Sequence, residues 1–205
     1  MKRLLYIFLF TAFSCFGQYE TAFQSAYSAH PTIPKGILEA VAYTNTHIRN
    51  ISFEDQVSCS GMPLPYGVMG VFDDGADYFL ENGQTIATLS GFSVEAQKLS
   101  VETQILGYAS AFDVLFHLPE NASTNLGEQL HFTLLDLSEI PDSGLVNHFA
   151  REIQSYEILH FLMDNEMANR FGFSAYQFNL QSIFGEQNLN ILSAKTIRIS
   201  ETGIQ

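Results

Sequence analysis

The sequence predicts a mainly α-helical protein with one short strand near its end. Apolar residues recur every three or four positions in segments 19–29, 101–117 and 145–163, which is the spacing of helices that bury one face. Alternation of polar and apolar residues, typical of a strand, is confined to segment 195–200. Serine, aspartate, proline and glycine stand where these helical segments begin and end.

Residues 1–17 are predicted to be a secretory signal peptide. Two basic residues give a positive start, an apolar run covers 4–13, and small residues lead to Gly17. The run is too short to cross a bilayer comfortably, so we expect no membrane span. The alternative is a lipoprotein signal acylated at Cys15, although the usual leucine three residues earlier is absent. The signal peptide predicts a secreted or periplasmic protein.

The charge balance argues against nucleic acid as a partner. Nine basic and 22 acidic residues give a net charge of −13, and such a surface repels phosphate backbones. Cys59 is the single cysteine after the signal peptide, so the mature chain can form no internal disulfide. We expect a structural or intermolecular role for Cys59 rather than a nucleophilic one.

A first helical unit is predicted over residues 18–118. Its second helix, over 33–48, opens at Pro34 and carries Asn45 on the same face as its apolar residues. Asn45 should therefore point toward the interior or a cleft. A polar loop follows, and then a Tyr-Gly-Val-Met-Gly segment at 66–70, whose glycines allow close approach of another backbone or a ligand.

The rest of this unit is predicted to be helical as well. Because segment 77–89 contains Gly83, we expect it to form one interrupted helix or two short helices. Ser93 and Ser100 stand at the positions of helix N-caps, and the helix that Ser100 begins should run over 101–117.

A linker is predicted at 119–126, followed by a smaller helical unit over 127–205. Ser143 is expected to cap the helix over 145–163. The other predicted elements of this unit are a turn that Asp164 caps and that stops at Gly172, a short helix over 180–185 and an edge strand over 195–200.

Two motifs of the first unit resemble the core of lysozyme-like lytic transglycosylases. They are IPKGILEAVAYTNT at 33–46 and YGVMG at 66–70. In that family a helix ends in a Glu-Ser pair, and a later Gly-(Leu/Val)-Met-Gln segment lines the same cleft. The resemblance implies a lysozyme-like helical domain in which Asn45 takes the position of the catalytic glutamate, Thr46 that of the serine and Gly70 that of the glutamine.

Asn45 lacks the chemistry of the residue it replaces. Lysozyme-type cleavage needs a carboxylic acid with a raised pKa to protonate the leaving glycosidic oxygen. A carboxamide has no such proton, and general-acid assistance is typically worth ~10²–10⁴ in rate. We therefore expect cleavage by this route to be lost or very weak. Glu54 and Asp55 in the loop are the alternative acids, whereas Glu39 should point away from Asn45 around its helix.

The expected role of the cleft is therefore to bind glycan. Asn45 and Thr46 could hydrogen-bond an N-acetyl group, or they could cap the end of their own helix. The tyrosines could stack on sugar faces, although aromatic residues at helical spacing more often belong to a core. The predicted binding residues are Tyr43, Asn45, Thr46, Tyr66, Gly67, Met69 and Tyr78.

No zinc site or other cofactor site is predicted in this chain. The six histidines form no His-x-x-x-His pair and no tight cluster with cysteine or carboxylates. His148 and His160, twelve residues apart on one predicted helix, should lie about 18 Å apart along its axis. We expect all six to be structural histidines with satisfied hydrogen bonds. A Gly-x-Ser-x-Gly context for serine catalysis is also absent.

A wider set of motifs resembles the N-terminal region of secreted bacterial N-acetylmuramoyl-L-alanine amidases. It adds SCSGMP at 58–63, LGYASAFDVL at 106–115, and a bridging region echoed at 137–157 and 183–200. In that group a lysozyme-like segment, already with Asn at the acid position, precedes the bridging region and a zinc amidase domain. The resemblance implies peptidoglycan glycan strands as the partner, with zinc only in the amidase domain, for which no positions match here.

Three functions follow as hypotheses. The first is the non-catalytic, peptidoglycan-engaging part of such an amidase, acting in cell-wall turnover. The second is an active lytic muramidase or transglycosylase that uses a displaced acid such as Glu54. The third is an inert spacer or a truncated remnant whose downstream domain was lost.

Overall fold

The structure is a computed structural model and describes residues 17–52, 65–73, 82–200 and 203–204. It is mainly α-helical, which confirms the predicted fold class, and ends in a two-stranded antiparallel sheet. The described elements are α1 (Gly17–Ala29), α2 (Ile37–Thr46), α3 (Asn82–Ser90), α4 (Val94–Leu99), α5 (Val101–Phe116), a 3-10 turn (Pro119–Asn121), α6 (Leu126–Ser138), α7 (Leu145–Met163), α8 (Asn165–Phe171), α9 (Leu180–Phe184), α10 (Glu186–Leu192), β1 (Ile199–Ser200) and β2 (Gly203–Ile204).

Helix α5 lies at the centre of the packing. Helices α1, α3, α4 and α6 contact it, and α2 and α6 in turn contact the long helix α7. The buried face of α5 carries Ile105, Ala109 and Phe112, all 0 % exposed. Full burial of an isoleucine or phenylalanine side chain stabilises a fold by about 1.5–3 kcal/mol. This arrangement holds α2 against α7, the contact that frames the candidate site.

Helix α2 is shorter than the predicted segment 33–48 at both ends. It begins at Ile37 because Gly36 adopts φ +88°, a left-handed conformation outside the helix. At the other end His47 has φ +55° and its backbone N–H bonds to the carbonyl of Tyr43 at 2.9 Å. The helix therefore stops at Thr46, in the polar triplet where the sequence motif ends.

Glu39, expected to point away from Asn45, is turned toward α1. The Tyr27 hydroxyl donates to Glu39 Oε2 at 2.6 Å and accepts from the Leu38 N–H at 3.2 Å. Burial raises the pKa of Glu39, and the hydrogen bond from Tyr27 partly opposes that shift. Glu39 thus joins α1 to α2.

The predicted helix caps are confirmed in three places and wrong in one. Ser93 and Ser100 each accept a backbone N–H from three residues further on at 3.2 Å, and Asp164 accepts two from the first turn of α8. Helix α7 has the predicted bounds, but Gly144 is its N-cap in place of Ser143 and makes no side-chain cap bond.

Helices α6 and α10 are absent from the sequence-based prediction. The sequence of α6 does contain two helix signals. Asn125 accepts the Gly127 N–H at 2.9 Å as an N-cap, and Leu130, Leu134 and Leu137 are buried at helical spacing. Buried polar residues between these leucines, including Thr133, obscure the apolar periodicity. Tertiary packing rather than a clean amphipathic pattern defines this helix.

One hydrophobic core joins the two predicted units. Leu130 of α6 and Leu159 of α7 belong to the same buried cluster as Ile37 and Phe112. Within the predicted linker 119–126, the buried Asn121 side chain donates to the Leu115 carbonyl at 3.0 Å. The division into units 18–118 and 127–205 stays a prediction, and α2 from the first packs on α7 from the second.

The terminal sheet is shorter than the predicted edge strand. Ile199 pairs with Ile204 and Ser200 with Gly203, so the paired residues of β1 cover only the end of segment 195–200. Among the helices that the structure describes, none is both long and apolar enough to cross a bilayer.

Candidate functional site

Asn45 lies where the end of α2 meets α7 and the segment 66–70. Its Nδ2 donates to the Met69 carbonyl at 2.9 Å, and Gln154 Nε2 on α7 donates to its Oδ1 at 2.9 Å. The side chain is half-buried and lines a groove. Asn45 therefore faces a cleft, as the sequence predicts.

The segment 66–70, which we call the glycine turn, is closed by its own backbone. Tyr66 and Val71 exchange two hydrogen bonds at 2.8 and 3.1 Å. Gly67 and Gly70 have φ of +67° and +65°, values that residues with side chains rarely adopt. A Cβ at Gly70 would lie 2.6 Å from Asn45 Cβ. The two glycines therefore let the turn close and touch α2, which confirms the predicted close approach.

Two buried side chains hold the glycine turn in place. Gln104 of α5 donates to the Tyr66 carbonyl at 3.2 Å and accepts the Met69 N–H at 3.1 Å. Thr46 Oγ1 lies 2.7 Å from the Val68 carbonyl oxygen. A buried polar group left without a partner costs about 1–3 kcal/mol, so these contacts fix the position of the turn relative to α2 and α5.

Two adjacent hollows run along the contact between α2 and α7. The Asn45 groove has a volume of about 330 Å³, and the neighbouring Tyr43 pocket about 320 Å³. Both volumes are within the range of small-molecule sites, roughly 300–1,000 Å³. Thr44 and Glu157 line both hollows. Other lining residues are Gly70, Ile153 and Gln154 in the groove and His47, His160 and Asp164 in the pocket.

Tyr43 has a double role in this arrangement. Its half-buried ring lies with its centroid 5.3 Å from that of Phe161 and 5.2 Å from that of His47. It also lines the Tyr43 pocket. The two interpretations of this tyrosine, core residue and ligand contact, are therefore compatible, because the ring packs on Phe161 and also borders a hollow.

Other predicted binding residues are not placed to touch a ligand. Tyr66 is 1 % exposed and Met69 0 % exposed, and Gly67 is buried beside them. They support the groove wall from behind, because the glycine turn directs them into the core. Thr46 is buried too, with Oγ1 2.8 Å from the carbonyl of Ala42 as well as near the turn, so it holds the end of its own helix.

The remaining sequence candidates are Tyr78 as a binding residue and Glu54 and Asp55 as acids. All three lie outside the described residues. In the described part of the chain, the acidic residue that lines the Asn45 groove is Glu157 of α7.

The groove thus presents the Asn45 carboxamide, whose nitrogen and oxygen are each hydrogen-bonded within the fold. It also presents the exposed carboxylate of Glu157 on α7. No protein-family model, curated protein or solved structure matches this chain. The residues of the groove are therefore the basis of the proposed function.

Gln154 and Glu157 are site residues that the sequence analysis missed. Three residues apart on α7, they lie on the same side of the helix. That spacing was visible in the predicted helix 145–163, but nothing local indicates that this side meets Asn45, 109 residues earlier in the chain.

A second polar cluster lies between α6 and α7. His131 Nδ1 is 2.8 Å from Ser155 Oγ, and its Nε2 is 3.8 Å from Glu152 Oε2. These are the residue types of a serine-hydrolase triad, but Ser155 is 1 % exposed, so no substrate reaches its hydroxyl. In the described residues no group of three or more His, Cys, Asp or Glu is arranged to hold a metal ion.

The ionisation of this cluster agrees with a structural role. Burial, together with the Arg151 charge, lowers the pKa of His131 to about 4. Burial raises the pKa of Glu152. Both shifts favour the neutral forms, so the contact between the two side chains is not an ion pair held by opposite charges.

Replacing His131 with asparagine should remove a pH-dependent loss of stability. The pKa of His131 is about 4 in the fold against 6.5 ordinarily, so the unfolded chain binds more protons between these values. Stability falls as the pH falls through this window, by about 3 kcal/mol. Glu152 acts in the opposite direction, since its raised pKa favours protonation in the fold. Comparison with the variant isolates the contribution of His131.

The measurement is urea unfolding of both proteins at pH 7.5, 5.5 and 4.0. Wild type should lose about 3 kcal/mol relative to the His131→Asn variant between the first and last of these values. A difference in unfolding free energy that stays constant with pH would contradict the assignment of a neutral, buried histidine.

Proposed function

We propose that this protein is a secreted module that engages peptidoglycan glycan strands without cutting them, like the N-terminal part of the N-acetylmuramoyl-L-alanine amidases that it resembles. The observation that carries the proposal is the carboxamide of Asn45, fixed in the groove between α2 and α7. Export by the predicted signal peptide, residues 1–17, would bring the module to the cell wall.

The surroundings of Asn45 suit an amide better than an ionised acid. The Met69 carbonyl accepts a hydrogen bond from Nδ2 at 2.9 Å. An ionised carboxylate in the same place would set two acceptor oxygens against each other, with no proton between them. On its other side the amide oxygen accepts from Gln154. These partners support a binding role for a residue that cannot act as a general acid.

The unused hydrogen-bonding groups of Asn45 suit an N-acetylated sugar. Asn45 keeps one amide proton and one lone pair beyond those used within the fold. An N-acetyl group offers one N–H and one carbonyl, which is the complementary pair. Beside it, the Tyr43 pocket offers part of an aromatic ring to the apolar face of a neighbouring sugar. No cofactor enters this proposal, because the zinc of such amidases belongs to their catalytic domain.

Binding should be tested by sedimentation of the 18–205 protein with insoluble peptidoglycan. Thr44 lines both hollows, so Thr44→Trp should obstruct the passage between them and reduce retention about tenfold, the effect of a steric penalty near 1.4 kcal/mol. Thr88→Trp is the matched control, since Thr88 is an exposed threonine on α3 and does not line either hollow.

The same preparation separates the competing functions. Retention of wild type and Thr88→Trp, with loss in Thr44→Trp, supports glycan binding in this groove. Wild-type retention no greater than that of an unrelated acidic protein would end the binding proposal and leave the inert spacer. Loss of turbidity from purified cell walls, abolished by Glu54→Gln, would instead establish a muramidase with a displaced acid.

A further inference from the structure

We propose that the groove discriminates by charge, accepting glycan whose lactyl carboxyl groups are masked as amides and disfavouring glycan whose lactyl groups are free carboxylates. Glu157 is the specificity-determining residue. This inference rests on the proposed function, since it concerns the ligand of the same groove.

Glu157 occupies the point that the two hollows share. It lines both the Asn45 groove and the Tyr43 pocket, so a ligand that occupies both lies beside it. Its side chain is exposed, and no hydrogen bond or ion pair to the described residues engages its carboxylate. Its full negative charge therefore acts on whatever enters.

The surroundings do not neutralise this charge. Asp164 adds a second carboxylate in the Tyr43 pocket, and no lysine or arginine is among the described residues that line either hollow. Like charge inside a concave site is focused by the surrounding protein and lowers the local concentration of anions.

The charge on a muramic acid depends on whether a peptide is attached to it. Each muramic acid carries a lactyl group joined to its ring by an ether oxygen, and the carboxyl of this lactyl group is an uncharged amide where a peptide is attached and a carboxylate where it is not. Interactions with Asn45 and Tyr43 are common to both forms. An unfavourable contact with the unwanted ligand is an established route to specificity, and Glu157 supplies it here.

The test uses two tetrasaccharides of alternating N-acetylglucosamine and N-acetylmuramic acid that differ only in the lactyl group, free carboxylate or methylamide. Binding to the 18–205 protein is measured by titration calorimetry at pH 7.5. The methylamide should bind about threefold more tightly, in keeping with exposed charge pairs. The ratio of the two affinities should fall toward one in Glu157→Gln. It should also fall toward one in 1 M salt, where screening shortens the range of the Glu157 charge to about 3 Å.

Glu120→Gln is the control, because Glu120 is an exposed glutamate outside both hollows, and it should keep the threefold ratio. Equal binding of the two ligands to wild type would overturn the inference and leave the proposed function intact. A ratio that persists in Glu157→Gln would remove Glu157 as its cause. Binding of neither tetrasaccharide would reject the proposed function itself.

Discussion

Replacing Gly67 with alanine should lower the free energy of unfolding by about 3–5 kcal/mol. The backbone there has φ +67°, and the added Cβ would overlap the side-chain amide of Gln104. Gln104 is 1 % exposed and bonds to Tyr66 and Met69 of the glycine turn, so it cannot move aside without leaving buried backbone groups unpaired. Urea unfolding followed by circular dichroism measures the loss.

Gly91→Ala separates the two causes of this effect. Gly91 has φ +75°, but an added Cβ there meets nothing within 4 Å. It should therefore show only the cost of a left-handed residue with a side chain, about 1–2 kcal/mol. Equal losses in Gly67→Ala and Gly91→Ala would mean that Gln104 does not hold the turn, and the account of how the groove wall is positioned would be wrong.

Replacing Asn45 with glutamate should produce measurable glycan cleavage, about a hundredfold above the wild-type background. The new carboxyl group would stand in the half-buried groove next to the Met69 carbonyl. A carbonyl acceptor and partial burial both favour the protonated acid, which is the form that a general acid needs. Loss of turbidity and release of reducing ends from purified cell walls, followed between pH 5 and 7, detect the activity.

Asn45→Gln is the matched control for this experiment. It lengthens the side chain by the same methylene group but has no acidic proton, so it should stay at background. If the glutamate and glutamine variants are both folded and neither cleaves, the groove does not place a glycosidic bond at residue 45. If both cleave, the activity comes from another group and the role given to the carboxamide fails.

The local structure around the site could be predicted in large part. The caps at Ser100 and Asp164 and the need for glycine in the turn follow from contacts within a few residues. Such contacts depend on side-chain type and spacing alone. The placement of Asn45 on the inward side of its helix followed from the same helical geometry.

The composition of the site could not be predicted to the same extent. Tyr66 and Met69 were expected to border a ligand and are buried, because Gln104 and Thr46 draw the turn onto α5 and α2. Glu157 was not among the candidate acids, because its place in the groove depends on how α7 lies across α2.

The order of residues along the chain was enough to predict that it is helical, where several of its helices begin and end, and that a carboxamide stands near the end of α2. The contact of Asn45 with Gln154 across 109 residues, and the presence of the charged Glu157 in the same groove, emerge only from the folded structure. Helix formation and capping depend on neighbours along the chain, whereas a groove depends on which helix faces pack together, and that choice is settled by the shape and burial of the whole core.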